Sequence, residues 1–101
     1  MWRMDQQYRE QRSEVPWVKR LPSEHIRSSV RLSTQPMSDV KTKDFVKLIE
    51  MTESEDVFLF SSDYPHWNFD NPDRVLPPST VGKALREKIL SRNARSLFRF
   101  A

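Results

Sequence analysis

Most apolar residues in this chain stand singly or in pairs among charged and polar ones, and the exceptions to that scatter mark its elements. One run of four, Val57-Phe58-Leu59-Phe60, has no polar alternation at all. A run of that length predicts a strand buried on both faces, as in a parallel sheet. Upstream, Val30-Arg31-Leu32-Ser33-Thr34-Gln35 alternates with the period of a strand, and Pro36 ends it. Between the two strands the period changes. Phe45, Val46, Leu48 and Ile49 recur at three- and four-residue spacing up to Met51, behind Thr42 as a cap, which predicts an amphipathic helix.

The flanks are read in the same way. Trp2 to Arg12 is rich in helix formers, with Trp2, Met4 and Tyr8 as its apolar members, and predicts a short polar helix. Pro16 and Pro22 break the segment that follows into an extended connector, lying on the surface through Trp17, and Ser23 is expected to cap a helical turn through Arg27. After Trp67, the stretch Asn68 to Pro78 holds three prolines and several Asx residues and predicts a loop. Ser79 or Thr80 then caps a last helix whose buried face runs through Val81, Leu85, Ile89, Ala94, Leu97 and Phe98. Strand, helix, strand, loop, helix is the order of a right-handed parallel crossover. Two parallel strands cannot cover both of their own faces and edges, so the order predicts part of something larger.

Composition narrows the function classes. The chain has 101 residues, enough for one domain, and lacks cysteine, which excludes a disulfide framework and a thiolate metal site. No run approaches the ~20 apolar residues of a membrane span, and the polar N-terminal residues do not resemble a signal peptide, so the expected location is cytoplasmic. Lys and Arg exceed Asp and Glu by 17 to 14, with Lys83, Arg86, Lys88, Arg92, Arg95 and Arg99 crowded near the end. Cations toward a helix C-terminus are what the helix dipole favours, and without interleaved aromatics they do not predict nucleic-acid binding.

Candidate chemistry follows the apolar strand. Ser61-Ser62-Asp63-Tyr64-Pro65-His66-Trp67 places a carboxylate and an imidazole three residues apart at the C-terminal end of a strand, where α/β sheets and barrels keep their active sites. A carboxylate there can bind a divalent cation or handle a proton. Ser and Asp after a strand are also ordinary turn residues, and spacing alone favours the turn role. His66, with no second imidazole close by, reads as a hydrogen-bonded residue at a pocket edge, and His25 as a solvated one. Trp2, Trp17 and Trp67 can line a pocket or serve packing. Arg31, Ser33 and Gln35 share one face of the first strand.

Phe58 to Trp67 resembles the last barrel strand of the amidohydrolase superfamily, in particular the group with the aminocarboxymuconate semialdehyde and resorcylate decarboxylases. Lys88-Ile89-Leu90-Ser91-Arg92-Asn93-Ala94-Arg95-Ser96-Leu97-Phe98 is similar to the close of that group's final helix. Glu14 to Glu24 and Val30 to Pro36 resemble the segment leading into and forming its seventh strand. The resemblance implies an α/β fold in which residues 1–101 are the C-terminal fragment, strands 7 and 8 with flanking helices, of a (β/α)8 TIM barrel. It implies a metal-dependent hydrolase or a nonoxidative decarboxylase (a lyase), with Asp63 as metal ligand and acid/base group and His66 beside the substrate. A divalent metal ion, zinc first, is the expected cofactor in the intact enzyme. The expected partner is a small carboxylic acid or carbonyl compound, with a homo-oligomer possible and neither nucleic acid nor membrane involved. The family's His-x-His after the first strand is absent, so the chain alone is expected to be inactive. The rival expectation is a small non-enzymatic α/β module that binds a protein partner.

Overall fold

The computed structural model describes residues 1–100, which divide into two compact units, Met1–Arg31 and the segment from Leu32 onward. In the first, α1 (Trp2–Glu10) packs on α2 (Pro22–Ser29). The expected cap at Ser23 is replaced by Leu21, whose extended backbone (φ −63, ψ 146) is what a following proline enforces, with Pro22 in the first helical position. Glu24 accepts the Leu21 N–H at 2.7 Å, half of a capping box, because leucine has no acceptor to complete the other half. Ser23 is used differently: its N–H donates to Asp5 Oδ1 at 2.8 Å and ties α2 to α1. The Tyr8 hydroxyl donates to the Val18 carbonyl at 2.7 Å, holding the connector. Trp17 itself is 73% exposed and does not anchor that connector.

Donation from Ser23 holds the Asp5 carboxyl below its ordinary value of 3.8, with Arg9 and Arg27 adding to the effect against desolvation. A depressed carboxyl stabilises the fold above its unfolded pKa and stops doing so as pH falls through its folded one. Far-UV circular dichroism is therefore expected to show helix loss in acid, below about pH 4, with a part that disappears in Asp5→Asn. An acid transition identical in that variant would contradict the assignment.

The second unit is built on a two-stranded parallel sheet. β1 (Leu32–Ser33) and β2 (Phe58–Leu59) pair with Leu32 opposite Phe58 and Ser33 opposite Leu59, and α3 (Thr42–Thr52) is the crossover between them. The strands are shorter than the predicted Val30–Gln35 and Val57–Phe60. At the end of β1 the Thr34 hydroxyl accepts the Ser61 N–H, a side chain standing where a ladder partner would be. The cap of α3 is Lys41 rather than Thr42, which is its first residue and donates its hydroxyl to the Val75 carbonyl at 3.0 Å.

The sheet is buried where β2 begins. Phe58 meets Phe45 of α3 edge to face at 5.0 Å, and the core around them gathers Met37, Ile49, Val57, Val75, Leu76, Val81 and Ile89, with Phe60 and Leu85 against it. Side chains alternate along a strand, so Leu59 and Ser61 point the other way. They are half-buried and Ser33 is exposed. Val57, on their side of the strand by the same alternation, is 1% exposed, so the expectation of a strand buried on both faces holds at Val57 and Phe58 and weakens toward the C-terminal end of the run.

The predicted loop from Asn68 to Pro78 contains one short helical turn, α4 (Pro72–Val75), and leads into another, α5 (Pro78–Val81), each opened by a proline at its first position. Asn71 caps α4 by accepting the Asp73 N–H. Neither Ser79 nor Thr80 caps the last helix; Pro77 precedes α5, and Gly82 opens the next segment. Gly82 has φ 81 and ψ 147, a region that side chains rarely enter, and a Cβ there would meet no atom within 4 Å. Gly82→Ala is therefore expected to cost about 1–3 kcal/mol from backbone strain alone. A urea midpoint unchanged by the substitution would show that this turn does not require its geometry.

The last helix runs through α6 (Lys83–Glu87), a π-helical segment (Lys88–Arg92) and α7 (Asn93–Phe98). Lys88 Nζ lies 2.9 Å from Asp56 and 3.1 Å from Glu55, which hold the ammonium above its usual range, Asp56 most strongly. Leu97 and Phe98, expected on the buried face, are 45% and 60% exposed. No helix among the described residues is long and apolar enough to cross a membrane.

Candidate active site

The site is assembled where both strands end. There Ser33 Oγ and Ser61 Oγ are 2.6 Å apart and link the strands through hydroxyls. One step on, Gln35 Nε2 donates to the Asn68 carbonyl at 3.1 Å. Of the first-strand residues expected on one face, Ser33 and Gln35 thus reach this end. Arg31 instead donates to the Arg27 and Val30 carbonyls.

Asp63 follows Ser61 by two residues and is presented by a turn. Its carbonyl accepts the His66 N–H at 2.9 Å across a cis Tyr64–Pro65 bond. The Asp63 backbone is left-handed, φ 61, a conformation that Asp and Asn adopt more readily than other non-glycine residues. The Ser62 carbonyl accepts the Asp70 N–H at 2.8 Å, closing the loop at its base. Asp70 is 3% exposed, and its Oδ2 accepts the Met37 N–H at 2.9 Å, fixing the residues after β1 to those after the loop.

The two predicted site residues are brought together but not bonded. His66 Nδ1 lies 3.7 Å from Asp63 Oδ2, beyond hydrogen-bond range, and both side chains are more than half exposed. Trp67, 86% exposed, lies beside His66 with ring centroids 5.8 Å apart. A cavity of about 260 Å³ opens next to this turn, walled by Met37, Val40, Trp67, Phe69, Asp70 and Arg74. Trp67 thus borders a pocket, as its sequence position allowed, and Asp63 and His66 lie outside its lining. Trp2 is half-exposed on α1.

Among the described residues no three His, Cys, Asp or Glu side chains are placed to share a metal ion. A protein-held zinc ion needs three or four ligands, so the residues of this chain do not form a complete metal site. What they offer is an exposed carboxylate with an imidazole beside it, able to join further ligands or to exchange a proton.

Sequence reasoning missed Asn93 and Asp70. Asn93 is 6% exposed and donates through Nδ2 to the Glu55 carbonyl at 2.7 Å and the Phe58 carbonyl at 3.0 Å, clamping β2 from the last helix. Its signal was present: it continues the four-residue spacing of Val81, Leu85 and Ile89 as the one amide on an apolar stripe. Asp70 sits among other Asx and Pro residues, and nothing in the sequence separates it from them.

The family model described as Amidohydrolase matches residues 1–100, and the chain belongs to that family. Membership makes it a hydrolase-type domain of a family that generally uses divalent metals. No curated protein matches it.

Proposed function

We propose that the chain is the C-terminal part of a (β/α)8 barrel enzyme of the aminocarboxymuconate semialdehyde decarboxylase-like group, supplying strands seven and eight. In the intact enzyme Asp63 is one metal ligand and the acid/base group of a hydrolysis or nonoxidative decarboxylation, and His66 stands beside the substrate, a small carboxylic acid or carbonyl compound. The single observation that carries this reading is the sheet. Val57 and Phe58 are buried in the core with α3, and burial falls off toward the C-terminal end, where Ser33 meets Ser61 and the chain leads to Asp63. That arrangement suits a slice of a barrel wall, helices outside and reacting groups at the strand ends within.

The test uses the chain alone and the chain joined after a family barrel segment carrying strands one to six with its His-x-His. Alone, it is expected to retain no stoichiometric zinc and to give no turnover above the blank. Joined, it is expected to take up zinc in a manner weakened by Asp63→Ala. Equal zinc content with and without the Asp63 carboxylate would remove that residue from the site.

A further inference from the structure

We propose that the last helix is a latch on the outer edge of β2, set by Asn93 and by the carbonyl of Ile89. The pairing of β1 with β2 fixes which backbone groups point where. The Leu32 N–H donates to the Val57 carbonyl and the Thr34 N–H to the Leu59 carbonyl, so Val57 and Leu59 face β1. Phe58 and Phe60 direct their backbone groups to the opposite edge.

On that edge no strand is paired, and yet the Phe58 carbonyl and the Phe60 N–H have partners from the same chain. The Phe58 carbonyl accepts from Asn93 Nδ2 at 3.0 Å, and the Phe60 N–H donates to the Ile89 carbonyl at 2.9 Å. The π-helical segment explains how a helix can do this. The Asn93 N–H bonds to the Lys88 carbonyl, five residues back, instead of to Ile89 four residues back. The Ile89 carbonyl is thereby released by the helix and serves the strand. A regular α-helix at this point would keep that carbonyl for itself. An amide side chain and one displaced helical turn thus stand in for a neighbouring strand, and they protect an edge that would otherwise invite pairing with another chain.

The consequence rests on the barrel reading above. A strand in a closed barrel is bonded on both edges. Completion of the barrel at β2 therefore requires the latch to open, with the Phe60 N–H exchanging the Ile89 carbonyl for a strand carbonyl and Asn93 leaving Phe58. The isolated chain and the assembled barrel differ at this contact.

Amide hydrogen exchange and through-hydrogen-bond NMR couplings test both parts. In the chain alone a coupling from the Phe60 nitrogen to the Ile89 carbonyl carbon is expected. Asn93→Ala should speed Phe60 exchange about tenfold, the effect of one hydrogen bond, and Thr34 exchange less than threefold. Equal acceleration of both amides, or no coupling in the unmodified chain, overturns the latch; the second readout applies even if the variant does not fold. In the zinc-loaded joined protein the Phe60–Ile89 coupling is expected to be gone. If it persists there, release is overturned while the metal reading stands; if the joined protein takes no zinc but the chain alone shows the coupling, the metal reading fails and the latch stands.

Discussion

Ile89→Ala is expected to lower the stability of the second unit by about 2–5 kcal/mol, the range for truncating a fully buried aliphatic side chain. The Ile89 side chain is 0% accessible, at the centre of the cluster that joins β2, α3 and the last helix. Its removal opens a void in a cluster whose members Leu76 and Val57 are also nearly inaccessible, and the neighbours can relax into it only in part. Against the roughly 5–15 kcal/mol that hold a domain together, such a loss takes a large share. Urea unfolding should show the midpoint falling with the slope unchanged. Leu97→Ala is the control. It sits on the same sequence-derived stripe and is 45% exposed, so its cost is expected to stay within about 0.5–1 kcal/mol. Equal costs at the two positions would contradict the packing of the last helix.

That pair of residues shows what periodicity reveals. Spacing places Val81, Leu85, Ile89 and Leu97 on one helical face, and the first three do meet the core. Periodicity cannot say how far along the helix the core extends, because this depends on what lies opposite. Leu97, 45% exposed, lies beyond that core. The helix α3 shows the same limit: Phe45 and Ile49 are buried and Val46 packs against the core, but Leu48 and Met51 at the edge of its stripe are exposed. The turns α4 and α5 were not legible, because a proline that breaks a helix from within also opens one at its first position, and composition does not distinguish these.

At the site, the strand end and the closeness of Asp63 to His66 were readable from a three-residue spacing and a turn-forming proline. Ser33 meeting Ser61 was not, because it depends on the register of two strands separated by a whole helix. Asp70 was invisible for a related reason. A carboxylate that binds a backbone N–H thirty-three residues away looks, in sequence, like any other loop carboxylate.

In the joined barrel, Asp63→Asn is expected to reduce kcat/KM by about 10²–10⁴-fold, the range for losing a positioned acid/base group. Asparagine is the informative substitution because of the backbone it must adopt. At φ 61 an alanine would add left-handed strain of about 1–2 kcal/mol, and a loss of activity could then come from a displaced turn. Asparagine tolerates that conformation, matches aspartate in shape and removes only the charge and the proton-accepting oxygen. Because the side chain is more than half exposed and accepts no bond from the backbone of its own loop, the unfolding midpoint of the variant should match that of the parent. His66→Asn provides the comparison. Its imidazole stands 3.7 Å from the carboxylate, too far to orient it through a direct bond, and its removal is expected to cost about tenfold, mostly in KM, as for a group that binds substrate without handling the proton. Asp63→Asn with unchanged kcat would assign Asp63 to the turn alone. An equal, kcat-borne loss in both variants would instead make the carboxylate and imidazole one proton-handling unit.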